Sequence, residues 1–157
     1  MIQLVHINPN QINTLKKLEW LKSQTSVVVF VHRPKCPFCK KARPAWNALV
    51  KTLEKKYPGD YSIVEINKQV LDDLKSQGKS NAKFLGVVKT VPKIIIYNQN
   101  KPNIDYTGNR SYSDLLKFSL NHLHLRGSKS HKSKHLSKRK SKRKSTSRKN
   151  KTKSKRT

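Results

Sequence analysis

The sequence is short of acidic side chains. Its 157 residues include 8 Asp and Glu against 36 Lys and Arg, which gives a formal net charge of +28 at pH 7. The shortage is greatest in residues 127–157, which hold 15 of the basic residues and no acid. Residues 1–126 are also basic, with 21 Lys and Arg against all 8 acids. This balance predicts polyanionic partners, such as nucleic acid, anionic lipid or an acidic protein.

Long apolar runs are also missing from the sequence. No stretch reaches the roughly 20 apolar residues that a membrane helix needs. Residues 1–6 do not combine a cationic region with the apolar core of a secretory signal. We therefore expect no membrane partner, and an intracellular location in the cytoplasm or nucleus.

Cysteine is scarce, because the sequence has only Cys36 and Cys39. Two cysteines are too few for a disulfide framework, so a reducing compartment is the default expectation. A zinc site would need two more Cys or His ligands, and no second Cys-x-x-Cys follows. The pair lies between a predicted strand and a predicted helix, which is typical of a thiol–disulfide centre. Half of a metal site and inert core thiols remain as alternatives, and we predict no metal.

The hydrophobic pattern of residues 1–126 alternates between strands and helices. The continuous β-branched run Ser26–His32 predicts a strand that is buried on both faces. An apolar stripe from Pro37 to Tyr57 predicts a long helix, with Pro44 inside it. Predicted strands cover 2–7, 26–32, 61–67, 93–97 and 104–107, and predicted helices cover 11–23, 37–57, 69–77 and 111–125. The order β-α-β-α-β-α-β-β-α predicts an α/β domain whose mixed central sheet has helices on both faces.

Residues 127–157, here called the basic tail, form a second segment. Leu136 is its only aliphatic residue, so the segment cannot bury enough surface to offset chain entropy, and we predict disorder. Its densest cations can bind phosphate backbones by releasing counterions, or can direct nuclear import. These cations are Lys138, Arg139, Lys140, Lys142, Arg143 and Lys144. The tail has no aromatic side chain for base stacking, and a purely solvating tail is the alternative.

Cys36 is predicted to lie where a helix begins. The free backbone N–H groups and the positive end of the helix dipole meet there and favour a thiolate. Arg33 and Lys35 add positive charge, and thiolates in such surroundings are nucleophilic. Cys36 would attack a client disulfide, and Cys39 would then attack Cys36 to release the reduced client.

Pro92 precedes an aliphatic strand and allows two interpretations. A trans proline at a strand entry is common at sheet edges. A cis proline beside the cysteines would leave the backbone of Val91 free to pair with an extended client.

Several features carry a resemblance to the thioredoxin fold over about residues 1–125. They are an apolar strand leading into Cys36-Pro37-Phe38-Cys39, then Pro44, Trp46, Thr90-Val91-Pro92 and Tyr106-x-Gly108-x-Arg110. The resemblance implies a thiol–disulfide oxidoreductase that acts on protein thiols and disulfides. By this likeness Cys36 is the nucleophile, Cys39 the resolving thiol and Pro92 a cis proline. Client contacts are expected at Lys35, Pro37, Phe38, Val91 and Pro92. We expect a monomer without a cofactor.

The motifs divide between branches of this superfamily. Cys36-Pro37-Phe38-Cys39 is similar to the glutaredoxin motif, whereas Pro44, Trp46 and residues 106–110 look more like thioredoxin and protein disulfide isomerase domains. Lys35 replaces the usual aromatic residue. Phe30 stands where the family has a buried acid, so we expect the proton acceptor for Cys39 to be missing.

The composition of the chain suggests a second class of function. A Lys-, Asn- and Ile-rich body with a Ser, Lys and Arg tail is similar to thioredoxin-domain proteins of large DNA viruses. The alternative to an enzyme is therefore a polyanion-binding or virion packaging protein that uses the thioredoxin fold as a scaffold.

Overall fold

The computed structural model describes residues 4–9, 13–78 and 84–125. The strands are β1 (Leu4–Ile7), β2 (Ser26–His32), β3 (Ser62–Asn67), β4 (Lys93–Asn98) and β5 (Ile104–Asp105). The helices are α1 (Thr14–Ser23), α2 (Pro37–Lys56), α3 (Lys68–Ser76) and α4 (Tyr112–His122). The predicted order of elements is confirmed. The predictions for residues 2–3, 11–12 and the basic tail lie outside the described residues.

The five strands form one mixed sheet in the order β1-β3-β2-β4-β5. β1, β3 and β2 run parallel, whereas β4 is antiparallel to β2 and β5 is antiparallel to β4. β2 is therefore central, and its residues from Ser26 to Val31 are buried. The prediction of a strand covered on both faces is confirmed for this element.

Helices cover both faces of the sheet, and each face has its own apolar cluster. One cluster joins α1 and α3 to the odd-numbered side chains of β2, such as Val29, around Leu18 and Leu21. The other joins α2 and α4 to Val28 and Phe30 of β2, around the fully buried Trp46. The period-two alternation of the strands thus assigns each side chain to one pair of helices.

Two predicted C-terminal ends differ from the structure by more than one residue. β5 is Ile104–Asp105 and not 104–107, and α4 ends at His122 and not near Leu125. The last segment leaves the helix because it pairs with a distant loop. Leu125 forms an isolated antiparallel bridge with Gly59, and the Asp60 N–H donates to the His124 carbonyl at 3.0 Å.

Within the residues that the structure describes, no helix combines the length and the apolar composition needed to cross a membrane.

Candidate active site

Cys36 lies at the start of α2, four residues beyond the end of the central strand. It is the N-cap residue of the helix, with φ −85° and ψ 116°, and Pro37 follows in the first turn. The Cys39 backbone N–H donates to the Cys36 Sγ at 3.2 Å, so the sulfur takes the place of a capping oxygen. Since Pro37 lacks an N–H, it fits the first turn at no cost in hydrogen bonding.

The two thiols differ in exposure and in acidity. Cys36 is half-buried, whereas Cys39 is only 3% exposed, and both cysteines are free thiols. Partial burial opposes ionisation of Cys36, but hydrogen bonds from Cys39 and Phe38 and the charge of Arg110 hold the pKa of Cys36 below its usual value. Burial, together with the hydrogen bond to Cys36, raises the pKa of Cys39 to about 11. Cys36 therefore ionises at a lower pH than Cys39. This order is required if Cys36 is the nucleophile and Cys39 is the resolving thiol.

The loop before β4 lies against the Cys36 thiol. The peptide bond between Val91 and Pro92 is cis. The Val91 carbonyl oxygen lies 3.9 Å from the Cys36 Sγ. Arg110 Nη2 donates to the Pro92 carbonyl at 3.4 Å. The structure thus brings Val91 and Pro92 to the cysteines although they are more than 50 residues away in the chain.

The other residues predicted to touch a client lie on the surface next to Cys36. Lys35, Pro37 and Phe38 are all exposed, and Phe38 is 64% exposed. An exposed aromatic ring beside a half-buried thiol offers apolar contact to an approaching chain. The six cations predicted to bind polyanions, residues 138–140 and 142–144, lie outside the described residues.

Sequence reasoning missed a buried acid on β3, the strand next to β2. Glu65 lies on β3, is 5% exposed and is the register partner of Phe30. A buried acid thus lies beside Phe30 on the neighbouring strand, where it contacts Arg43 and Trp46. The sequence did carry a signal for this acid, because Glu65 is the one carboxylate in the apolar run of β3. Strands buried on both faces rarely carry a charge, so such a residue indicates a buried partner.

Glu65 is held by partners from three elements. Arg43 Nη1 and Trp46 Nε1, both on α2, donate to its two oxygens at 2.6 Å each. His6 Nδ1 on β1 lies 3.3 Å away and His32 Nε2 on β2 lies 3.9 Å away. Burial alone would raise the pKa of Glu65, but the hydrogen bonds from Arg43 and Trp46 lower it. Burial and the Arg43 charge lower the pKa of His32. Glu65 is thus a paired carboxylate inside the fold.

Metal binding is the alternative role for the cysteines. In the ranges 4–9, 13–78 and 84–125, no group of three or more His, Cys, Asp and Glu side chains could hold a metal ion. The arrangement around Cys36 is instead suited to thiol exchange, with a half-buried thiol of lowered pKa in contact with a buried thiol.

Two features define a class of proteins: a five-stranded sheet with helices on both faces, and a cysteine pair at the start of the helix that follows the central strand. The thioredoxin family model matches residues 11–121. The chain belongs to the thioredoxin family.

Solved structures show the same fold at low sequence identity. The J-Trx1 fragment of ERdj5 is 18% identical, with a TM-score of 0.55 over 76% of this chain and 51% of that one. Human ERp44 in a zinc-bound form is 14% identical, with a TM-score of 0.53 over 74% and 30%. The first two thioredoxin domains of Saccharomyces cerevisiae Eps1p are 18% identical, with a TM-score of 0.52 over 73% and 40%. The match thus spans about half or less of each of these longer chains.

The acidity of Cys36 can be measured by alkylation. We expect the iodoacetamide rate at Cys36 to reach half its plateau below the value of about 8.5 for a free cysteine, because a lowered pKa moves thiolate formation to lower pH. In contrast, Cys39 should react only as pH approaches its pKa of about 11. Mass spectrometry of the folded protein resolves the two sites.

The same chain denatured in urea is the control, since both cysteines should there titrate as free thiols. A folded-state midpoint for Cys36 at or above the denatured one would contradict the hydrogen bonding described here.

Proposed function

We propose that this chain is a thiol–disulfide oxidoreductase that acts on protein disulfides or dithiols through Cys36 and Cys39. The observation that carries the proposal is the setting of the Cys36 Sγ. It caps a helix, accepts the Cys39 N–H at 3.2 Å and lies 3.9 Å from the Val91 carbonyl. Membership of the thioredoxin family supports the same reaction class.

The reaction follows from the difference between the two thiols. The Cys36 thiolate attacks one sulfur of a client disulfide, so that a Cys36–client bond forms and the client S–S bond breaks. The other client sulfur leaves as a thiolate and takes a proton. Cys39 then loses its proton and attacks the Cys36 Sγ, which releases the second client thiol. The client gains two electrons, and a Cys36–Cys39 disulfide remains.

The reverse path oxidises a client dithiol. A thiolate of the client attacks the Cys36–Cys39 disulfide at Cys36, and the second client thiol then displaces Cys36. The relative potentials of client and protein decide the direction. In either direction, the Val91 backbone beside Cys36 would receive an extended client segment as an added strand.

Insulin reduction with dithiothreitol as the reductant tests the reaction. We expect Cys36→Ser to lower the rate to that of dithiothreitol alone, since the attacking thiolate is gone. The matched Cys39→Ser variant should instead accumulate mixed disulfides through Cys36, which non-reducing electrophoresis detects. Circular dichroism checks that both variants fold. Equal rates for the wild type and Cys36→Ser would leave the thioredoxin fold as a scaffold without this activity.

We further propose that the basic tail binds polyanions such as nucleic acid. Its support is sequence composition, with 15 Lys and Arg and no acid in residues 127–157. Such a segment could localise the enzyme. In the alternative, polyanion binding would be the main function, as in a packaging protein built on the thioredoxin fold.

Neutralising the cations of the tail separates these activities. We expect conversion of Lys138, Arg139, Lys140, Lys142, Arg143 and Lys144 to Gln in the full chain to weaken binding to duplex DNA. If all six contact phosphates, the slope of log affinity against log salt should shrink by about 5. Insulin reduction should stay unchanged. An unchanged salt slope would assign DNA binding to the basic body instead.

A further inference from the structure

The exposed surface around Cys36 carries cations that lack acidic partners. Lys35 directly precedes Cys36, and Lys40 and Lys41 follow within the first two turns of α2; all three are exposed. In the part of the chain that the structure describes, none of the three makes an ion pair. Their charges are therefore available to a molecule that approaches Cys36.

Acidic side chains near the cysteines are already paired. Asp72 on α3 accepts from Arg33 Nη2 at 2.6 Å and also pairs with Lys68. Glu65 is buried and bonded to Arg43. The field outside Cys36 is consequently positive, and Arg110 adds to it from the Pro92 side.

The cations and the client-binding backbone belong to one surface, which we call the exchange face: Lys35, Cys36, Phe38, Val91 and Arg110. A client segment that extends past Val91 advances about 3.3 Å per residue. Side chains within two residues of its reacting cysteine therefore lie within reach of Lys35 or Arg110. Acidic side chains there would gain attraction, and basic ones would be repelled.

We propose that the exchange face selects disulfides in acidic protein segments, with Asp or Glu beside the reacting cysteine. This proposal rests on the oxidoreductase function proposed above. Charge complementarity at the rim of a site acts chiefly on the rate of association. The preference should therefore appear in the second-order rate of attack by Cys36 and should weaken with salt.

Three cyclic peptides with one internal disulfide test the preference. They differ only in the residues that flank each cysteine, which are all Glu, all Gln or all Lys. Each rate with the reduced protein is divided by the rate with dithiothreitol, a small dithiol whose thiolate lacks the cations of the protein, to remove intrinsic differences in reactivity. We expect the Glu peptide to react about tenfold faster than the Lys peptide at about 0.01 M salt, and both to react alike at about 1 M.

Charge-reversed variants locate the effect. Lys35→Glu should lower the ratio of Glu to Lys rates severalfold. Lys51→Glu is the matched control, because Lys51 is an exposed lysine on the same helix, about 22 Å from Cys36 along the axis. It should leave the ratio unchanged.

Three other outcomes would each contradict a different part of the proposals. Equal normalised rates for the three peptides would overturn the acidic preference while leaving the oxidoreductase function in place. An equal loss in both variants would show that overall charge, not the exchange face, sets the preference. Rates no faster than those of Cys36→Ser for every peptide would contradict the oxidoreductase function itself.

A second, independent observation concerns the resolving thiol. Cys39 and Arg43 are four residues apart on α2, which places them one above the other on the same side of the helix. The guanidinium of Arg43 is fixed by Glu65 at 2.6 Å and lies 5.1 Å from the centre of the Phe30 ring. A positive charge is thus held one turn from a buried thiol that must lose its proton.

We infer that Arg43, positioned by Glu65, stabilises the thiolate that Cys39 forms when it releases the client. Burial disfavours that thiolate, and the Arg43 charge acts against burial. Other titratable groups reach this place from β1 and β2, since His6 and His32 both face Glu65. In the loop before α2, a hydrogen bond from the Arg33 backbone also favours the Cys39 thiolate.

Release from a preformed mixed disulfide between Cys36 and a peptide tests this inference, which also rests on the proposed function. We expect Arg43→Met to slow release about tenfold at neutral pH and to move its pH midpoint up by about one unit. Arg43→Lys, which keeps the charge, should recover part of the rate. Formation of the mixed disulfide by Cys36 should change little in either variant.

Thermal melting and the Glu65→Gln variant distinguish an effect of the Arg43 charge from a loss of folded structure. Glu65→Gln keeps the shape of the side chain but weakens its hold on Arg43, so it should also raise the midpoint of release. An unchanged pH midpoint in a folded Arg43→Met protein, or a Lys variant no better than Met, would overturn the inference.

Discussion

The burial of β2 between β3 and β4 is the constraint on which the site depends. Because both faces of β2 are covered, its direction and register are fixed along its whole length. Its end at His32 delivers the cysteine loop to the start of α2. Its two neighbours are β3, which carries Glu65, and β4, which follows the loop of Val91 and Pro92. Both place these residues towards the carboxyl end of β2. One strand therefore sets the relative positions of Cys36, Glu65 and the Val91–Pro92 backbone.

Charge is divided sharply between the inside and the outside of this site. The Glu65 carboxylate is matched to Arg43 and Trp46 beneath the helix, at two hydrogen bonds of 2.6 Å. Outside, Lys35 and Arg110 face solvent beside the thiol, with the nearby acid Asp72 occupied by Arg33 and Lys68. The negative charge of Glu65 thus lies in the interior, where it holds a cation in place, and Lys35 and Arg110 present positive charge at the surface beside Cys36.

The sequence predicted local features well where local chemistry determines them. The range of β2 agrees with its continuous β-branched run, and Pro37 placed the start of α2 because its missing N–H costs nothing in a first turn. The end of α4 was wrong because Leu125 pairs with Gly59, which no periodicity records. Glu65 went unrecognised because its partner Arg43 lies 22 residues away, and only strand register places it beside Phe30.

The pairing of Phe30 with Glu65 depends on the register of two parallel strands. A shift of β3 by a single residue would turn Glu65 to the opposite face, where α1 contributes Leu18 and Leu21. The carboxylate would then be buried among aliphatic side chains without Arg43 or Trp46, at a high cost in free energy. Glu65 therefore also acts as a marker of correct assembly, since only the functional alignment of the strands gives this charge a partner.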